Sequence, residues 1–226
     1  MKFLIQTFED KIKHDFSFTL IQSIEYQNWL RQDNSFVYVT SDSVMLPDYC
    51  PIGSVEFVCE YLKKYFGLIP KPINIPLELM KREYLNRTVI NGTEKDISGI
   101  MFIKSNDKIK HFTEICDQAP EGNYQISSVI EIDSEWRAFI YQGKLVGLQY
   151  YSGEFTLFPD VKKIQKMIED YTLCPIAYTL DVAISEGETV IIEVHDFFSC
   201  GLYGFSDHKI LPFMFFKWFK SFTFNK

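Results

Sequence analysis

Residues 178–204 have the sequence YTLDVAISEGETVIIEVHDFFSCGLYG, in which two apolar runs flank Ser185-Glu186-Gly187-Glu188. That tetrapeptide is rich in turn formers, so the stretch predicts a β-hairpin. With Gly187 at the tip, Asp181 lies opposite Glu193, and the even-numbered positions of both arms are apolar. A slip of one residue would turn those apolar side chains to the other face, so the pattern supports this register. The predicted apolar pairs are Leu180–Val194, Val182–Ile192 and Ile184–Val190.

The other face of this hairpin carries Asp181, Glu193 and His195. Two carboxylates on facing strands, with a third polar side chain two residues on, suit a hard divalent cation. Mg²⁺ binds one or two carboxylates together with phosphate oxygens and water. An acidic, solvated face of an antiparallel sheet has the same pattern, so spacing alone leaves both interpretations open.

The composition is that of a globular protein, with 46% hydrophobic and 23% charged residues. A net charge of −7 argues against a broad nucleic-acid-binding surface. The five cysteines form no CxxC pair, which favours reduced thiols in a cytoplasmic protein over a zinc site or a disulfide framework. The N-terminus lacks signal-peptide anatomy, and no apolar run approaches the roughly 20 residues of a membrane span. We therefore expect a cytoplasmic protein with no nucleic-acid partner and no membrane span.

The first 90 residues predict a small α/β subdomain, because short apolar strands alternate with helical patterns. The predicted strands are 2–6 and 35–40, and the predicted helices are 17–29 and 53–66. The first helix is indicated by Phe18, Ile21, Ile24 and Trp29, which follow each other at roughly helical spacing. A proline-rich connector follows at 69–79. We therefore predict an N-terminal subdomain over residues 1–90 and a second region over residues 91–226.

The second region predicts antiparallel strands, a hairpin that turns at Gln142-Gly143, and two helices. The predicted segments are strands 99–104 and 127–132, the hairpin 135–151, a helix over 160–171 and the hairpin described above. The aromatic tail from Ile210 predicts a buried terminal helix, with a homodimer face or a membrane-surface contact as alternatives.

Three cationic residues are candidates for binding an anion. Lys104 ends an apolar strand and can hold phosphate as a point charge, although a strand-end lysine in solvent has the same sequence pattern. Arg137 lies inside an apolar strand, where an unpaired guanidinium is costly, so it should meet a ligand anion or a carboxylate such as Glu135 or Glu131. Arg87 lies near the predicted junction, where a ligand contact and an ordinary surface arginine remain open.

Taken in order, these motifs resemble the ATP-grasp fold, and more narrowly its compact bacterial and phage branch named for two arginines and a lysine. The resemblance covers about residues 35–205. It is carried by Lys104 at a strand end and by PIGSVEFV (51–58), INIP (73–76), SEWRAFIYQGKLVG (134–147) and VIIEVHDFFSCGLYG (190–204).

The resemblance assigns a role to each candidate residue. Lys104 matches the lysine on the nucleotide phosphates, and Arg87 and Arg137 match the two arginines near the phosphates or the acceptor carboxylate. The acidic Mg²⁺ ligands correspond to Asp181 and Glu193. His195 stands where such proteins carry Asn, a departure that weakens this metal position, favours Mn²⁺ or passes the duty to Asp196. The adenine-contacting edge corresponds to Ser128, Val129, Ile130 and Glu131.

The resemblance implies an ATP- and Mg²⁺-dependent carboxylate–amine ligase that acts through an acyl phosphate. Its implied partners are a small-molecule or peptide carboxylate and an amine. Two alternatives remain open: an ATP-grasp phosphotransferase that acts on a hydroxyl group, and a nucleotide-binding interaction module with impaired catalysis. Electrostatics and positioning carry such chemistry, so no protein nucleophile is required.

Overall fold

A computed structural model describes residues 1–43, 45–109 and 111–224 of the chain. The chain folds into two compact units. The first comprises Met1–Ile69, Pro175–Ala177 and Phe197–Lys226, and the second comprises Pro70–Cys174 and Tyr178–Asp196. The division into units differs from the predicted one at residue 90. The first unit contains the chain up to residue 69 and also the C-terminal segment from residue 197.

The first unit has a three-stranded parallel sheet of order β2-β1-β3. Its elements are β1 (Lys2–Gln6), β2 (Val37–Ser41), β3 (Cys50–Ile52), α1 (Asp15–Arg31), α2 (Val55–Phe66) and the C-terminal α5 (Leu211–Phe224). Ser54 caps α2 by accepting a hydrogen bond from the Phe57 N–H at 3.2 Å, and Gly67 ends it at φ 67°. One face of α5 is buried, as predicted for the tail, and β3 was not predicted.

The helix predicted over residues 17–29 is confirmed as α1, and of the four apolar residues that indicated it Ile24 is buried. Phe18 and Trp29 are 57% and 66% exposed, whereas the buried face of this helix contains Ser23 and Gln27. Their polar atoms are satisfied there, because Ser23 Oγ lies 2.8 Å from His208 Nδ1 and Gln27 Nε2 donates to the His208 carbonyl at 3.0 Å. A helix face that hydrogen-bonds to its neighbour does not show in an apolar periodicity.

The second unit contains two four-stranded sheets, of orders β11-β10-β8-β9 and β4-β7-β5-β6. We call them the metal-ligand sheet and the lysine sheet, since they carry the predicted metal ligands and Lys104 respectively. The pairs β10–β11, β8–β9, β4–β7, β5–β7 and β5–β6 are antiparallel. The predicted class, an N-terminal α/β layer combined with antiparallel sheets, is confirmed.

The metal-ligand sheet consists of β8 (Ser134–Tyr141), β9 (Lys144–Gly153), β10 (Ala177–Ser185) and β11 (Glu188–Asp196). It shares one large core with residues of α3 (Arg82–Leu85) and α4 (Val161–Asp170). Asp160 caps α4 by accepting from the Lys162 N–H at 2.8 Å, which confirms the predicted start of that helix. The turn between β8 and β9 lies at Gln142-Gly143, as predicted.

The lysine sheet consists of β4 (Val89–Thr93), β5 (Met101–Ser105), β6 (Thr113–Cys116) and β7 (Asn123–Ser127). The buried residues of its core are Ile103, Tyr124 and Ile126. The predicted strand at 127–132 is wrong, because β7 ends at Ser127 and residues 128–133 connect the two sheets. The strands β4 and β6 were not predicted; their faces are mostly exposed and carry no apolar alternation.

The hairpin β10–β11 turns at Glu186-Gly187, where both residues have positive φ (52° and 77°), as a type I′ turn requires. From Tyr178 to Asp181 the register is the predicted one, with Asp181 opposite Glu193. A bulge follows, so that Val182 lies opposite Ile191 rather than Ile192, and Ile184 lies opposite Thr189 rather than Val190.

Within the residues that the structure describes, no helix combines the length and apolar character that crossing a bilayer requires.

Candidate nucleotide and metal site

The register of β10 and β11 brings three potential metal ligands together. One donor atom from each of Asp181, Glu193 and His195 lies within 4.8 Å of the others. The His195 Nε2 is 2.5 Å from Glu193 Oε1, and Asp181 is only 1% exposed. Two carboxylates at this separation suit a divalent cation, and the imidazole adds a nitrogen donor that Mg²⁺ accepts less readily than an oxygen.

Arg137 on β8 pairs with Asp181 in a fork. Its Nε donates to Asp181 Oδ1 and its Nη2 donates to Asp181 Oδ2, both at 2.7 Å. The expected alternative partners were Glu135 and Glu131, and the structure corrects that expectation because the facing carboxylate belongs to a predicted metal ligand. The pair is buried, so its two charges compensate each other in a region of low dielectric.

Lys104 reaches from the lysine sheet to the metal-ligand sheet. Its Nζ forms an ion pair with Glu193 Oε2, and the two side chains are 14% and 16% exposed. Burial lowers the pKa of Lys104 to about 8; the Asp181 carboxylate opposes this shift, and the charges of Arg87 and Arg137 add to it. The interpretation of Lys104 as a solvent-exposed strand-end lysine is therefore wrong.

Arg87 is a half-buried cation held by backbone carbonyls. Its Nη1 donates to the Leu85 carbonyl at 3.1 Å and to the Ile191 carbonyl at 2.8 Å. Burial lowers the pKa of Arg87 to about 10, and among the described residues no carboxylate forms an ion pair with it. Its charge acts on Lys104, so the guanidinium belongs to the same cluster. A cation arranged in this way favours an anionic ligand.

Tyr151 was not predicted at the site, and Glu135 was predicted only as a possible partner of Arg137. The Tyr151 hydroxyl donates to Glu135 Oε1 at 3.1 Å, and the guanidinium of Arg137 lies 5.9 Å from the centre of the Tyr151 ring. Burial raises the pKa of Tyr151, with the carboxylates of Asp181 and Glu135 adding to the shift. The alternation of side chains along β8 places residues 135 and 137 on the same face, and this pattern could have indicated Glu135 as a neighbour of the site.

The predicted adenine edge lies in the connection between the two sheets. Ser128 anchors its start, because its N–H donates to the Thr88 carbonyl at 3.0 Å. Val129 is 47% exposed. In the part of the chain that the structure describes, the backbone groups of residues 129–131 make no hydrogen bond, so they are available to a ligand. Contact with adenine stays a prediction for all four residues, Ser128, Val129, Ile130 and Glu131.

The six remaining predicted site residues therefore lie in one cluster within the second unit: Arg87, Lys104, Arg137, Asp181, Glu193 and His195. The sequence model of one protein family, described as "ATP-grasp domain, R2K clade family 2", matches residues 84–212, more than half of the chain. The chain belongs to this family. The ATP-grasp superfamily predicted from the sequence is confirmed.

Solved structures share the ATP-grasp fold at low sequence identity. D-alanine–D-alanine ligase from Bacillus anthracis has a TM-score of 0.51 and 11% identity, over 100% of this chain and 98% of that one. A RimK domain ATP-grasp protein from Sphaerobacter thermophilus has a TM-score of 0.54 and 12% identity, over 99% of both chains. N5-carboxyaminoimidazole synthetase from Staphylococcus aureus complexed with ADP has a TM-score of 0.50 and 9% identity, over 86% and 69%. No curated protein sequence matches the chain significantly.

Proposed function

We propose that this ATP-grasp protein is an ATP- and Mg²⁺-dependent ligase that joins a carboxylate to an amine through an acyl phosphate. The observation that carries the proposal is the cluster of Arg87, Lys104 and Arg137 around the carboxylates of Asp181 and Glu193. Opposed cations and acidic ligands within one half-buried cluster are what a metal–nucleotide complex needs.

The donor set fits a divalent cation, because one ligand atom from each of Asp181, Glu193 and His195 lies within 4.8 Å of the others. Asp181 and Glu193 would hold Mg²⁺, and His195 makes Mn²⁺ a second candidate. Bound there, the metal would neutralise charge on the transferred phosphoryl group. Lys104 is paired with Glu193, one of these ligands, and its ammonium would contact phosphate oxygens beside the metal position.

The remaining residues position the reactants. Arg87 would bind a phosphate or the acceptor carboxylate, since its charge has no carboxylate partner among the described residues. Arg137 fixes both oxygens of Asp181 and would orient that ligand. The exposed backbone groups of residues 129–131 would contact the adenine base.

The proposed reaction proceeds in two steps. A carboxylate oxygen of the acceptor attacks the γ-phosphorus of ATP, the bond to ADP breaks, and an acyl phosphate forms. The amine nitrogen then attacks the acyl carbon, inorganic phosphate leaves with the C–O electron pair, and the nitrogen loses a proton. A small molecule or a peptide can supply either substrate.

The test is an ADP-release screen of the full chain against amino acids, peptides and small carboxylates, with Mg²⁺ or Mn²⁺. The control is Glu193→Gln, which keeps the shape of a partly exposed ligand. Asp181→Asn is a poorer control, because it removes the charge that compensates a buried guanidinium. ADP together with an amide supports the ligase.

Two other outcomes would replace the proposal. ADP together with a phosphate ester would indicate phosphotransfer to a hydroxyl group. Nucleotide binding without turnover on any acceptor would indicate an interaction module with impaired catalysis, for which the contact between His195 and Glu193 is the supporting observation. Absence of any thermal shift with Mg-ATP would overturn the nucleotide site itself, since a bound ligand at about 100 times its Kd stabilises by about 2.7 kcal/mol.

A further inference from the structure

Asn74 connects the two sheets of the second unit beside the candidate site. Its carbonyl oxygen accepts from the Val194 N–H at 2.7 Å, in a bridge to the edge strand β11. Its side-chain Nδ2 donates to the Ser105 carbonyl at 3.1 Å and to Asn106 Oδ1 at 2.7 Å, both at the end of β5. One residue thus contacts both sheets, and it is only 4% exposed.

The contacts of Asn74 are adjacent in sequence to the paired site residues. Val194 lies between Glu193 and His195, and Ser105 follows Lys104 directly. The ion pair between Lys104 and Glu193 crosses from one sheet to the other. A shift of either strand relative to Asn74 would therefore change the separation of the Lys104 ammonium and the Glu193 carboxylate.

The backbone around Asn74 suits this connecting role. Asn74 has φ 54°, a left-handed conformation that Asn and Gly adopt more readily than other residues. The next residue, Ile75, is held by Gln125, whose side chain accepts from the Ile75 N–H and donates to its carbonyl, both at 3.0 Å. Gln125 lies opposite Lys104 across β5 and β7, so the two side chains project from the same face.

We infer that Asn74 is a positioning residue that sets the distance between Lys104 and Glu193 by bonding to the strand of each. The inference rests on the proposed function only for its effect on nucleotide binding. Its structural content, that Asn74 couples β5 to β11, can be tested without any ligand.

The ligand-free test compares amide hydrogen exchange in the wild type and Asn74→Gly. Glycine keeps the left-handed backbone and removes the two side-chain hydrogen bonds. The peptide covering 101–107 is expected to exchange about tenfold faster, because both lost bonds end on Ser105 and Asn106. The peptide covering 189–196 keeps its bond to the backbone carbonyl of residue 74, so faster exchange there reports coupling from β5 to β11. Gln142→Gly is the matched control, because Gln142 also has positive φ (51°) but lies in the exposed β8–β9 turn. Unchanged exchange at 189–196 would overturn the inference.

Binding of AMP-PNP with Mg²⁺, measured by calorimetry, tests the functional consequence. Asn74→Gly is expected to weaken this binding about 10- to 100-fold, as loss of a residue that orients a metal ligand does. Asn106→Ala removes one of the two bonds and should give a smaller loss; it also provides the answer if Asn74→Gly does not fold.

A double-mutant cycle separates positioning from general destabilisation. In a Lys104→Met background the ion pair is absent, so Asn74→Gly should cost much less binding than it does in the wild type. Additive losses would overturn the positioning role. If the wild type itself does not bind Mg-AMP-PNP, the proposed function fails, and the exchange experiment alone decides whether Asn74 couples the strands.

Discussion

The two sheets of the second unit differ in how they are held together. The metal-ligand sheet shares a continuous core with α3 and α4, in which Trp136, Ile164 and Tyr178 are at most 4% exposed. Among the residues that the structure describes, the core of the lysine sheet contains three buried ones, and Ile115 on that sheet is 59% exposed. Yet each sheet contributes one member of the ion pair between Lys104 and Glu193.

The two halves of the site therefore have different packing beneath them. Arg137 and Asp181 belong to a well-packed sheet, and their fork is buried. Lys104 belongs to a sheet with few buried apolar contacts, and polar contacts through Asn74 and Gln125 fix its position. Segments with few buried apolar contacts open at lower free energy than the core. We therefore expect the acidic half to be preformed and the lysine half to be the part that moves.

The largest effect is expected from breaking the pair inside the metal-ligand sheet. Asp181→Ala leaves the Arg137 guanidinium buried without its carboxylate, and we expect a loss of about 3–5 kcal/mol in the free energy of unfolding. Urea denaturation measures this loss. The double variant Arg137→Met/Asp181→Leu is the control, because removal of both charges should restore most of the stability; equal losses in the two variants would contradict the interpretation.

A loss of similar or smaller size is expected when cavities are made in the two cores. Ile164→Ala in the large core should cost about 4 kcal/mol, and Ile103→Ala in the small core about 2 kcal/mol, within the range for such truncations. Both side chains are fully buried, so the difference reports how readily each core collapses around the cavity. Equal losses in urea unfolding would show that the two sheets are equally well supported.

Amide hydrogen exchange of the unsubstituted protein compares the local stability of the two sheets directly. All three strands lie in the interior of their sheets, but the core beneath β5 and β7 is smaller, so amides of β5 and β7 should exchange about tenfold faster than those of β10. Mg-AMP-PNP should slow exchange in β5 more than in β10, because the ligand would fix the mobile half. Slower exchange in β5 than in β10 before ligand addition would reverse the assignment.

The smallest effect concerns acid stability on the metal-ligand side. Hydrogen bonds from Lys81 and from the Tyr84 hydroxyl hold the pKa of Asp170 below its usual range. This stabilisation is present above the pKa of the unfolded state, about 3.9, and is lost as the pH falls through the folded pKa. Asp170→Asn should therefore flatten the acid side of the stability curve between about pH 5 and 3. Lys81→Met should produce part of the same flattening, because it removes one of the two hydrogen bonds to Asp170.

The sequence predicted which strands bring the candidate ligands together, but it did not predict which side chains those ligands contact on other strands. Asp181 opposite Glu193 follows from alternation in two arms joined by a turn, and this register is local. The bond between Arg137 and Asp181 does not, because it joins β8 to β10 and depends on the order of strands in the sheet. The sequence did not indicate Asn74, because its backbone conformation and its contacts with two distant strands leave no local pattern.

The buried face of α1 and the course of residues 128–132 were also not predicted, and both depend on partners that are distant in the sequence. The inner face of α1 contains polar residues whose partners follow about 180 residues later. Residues 128–132 are apolar enough for a strand, but Ser128 bonds to Thr88 and the chain leaves the sheet there. Local patterns specify an element when its partner is near in sequence, and tertiary partners decide the rest.

The bulge in β11 allows the two halves of the hairpin to have different registers. Ile192 has no partner of its own, so the chain can close a two-residue turn at Glu186-Gly187 and still deliver Glu193 opposite Asp181. The outer half of the hairpin therefore takes its register from the turn, and the inner half keeps Asp181 opposite Glu193.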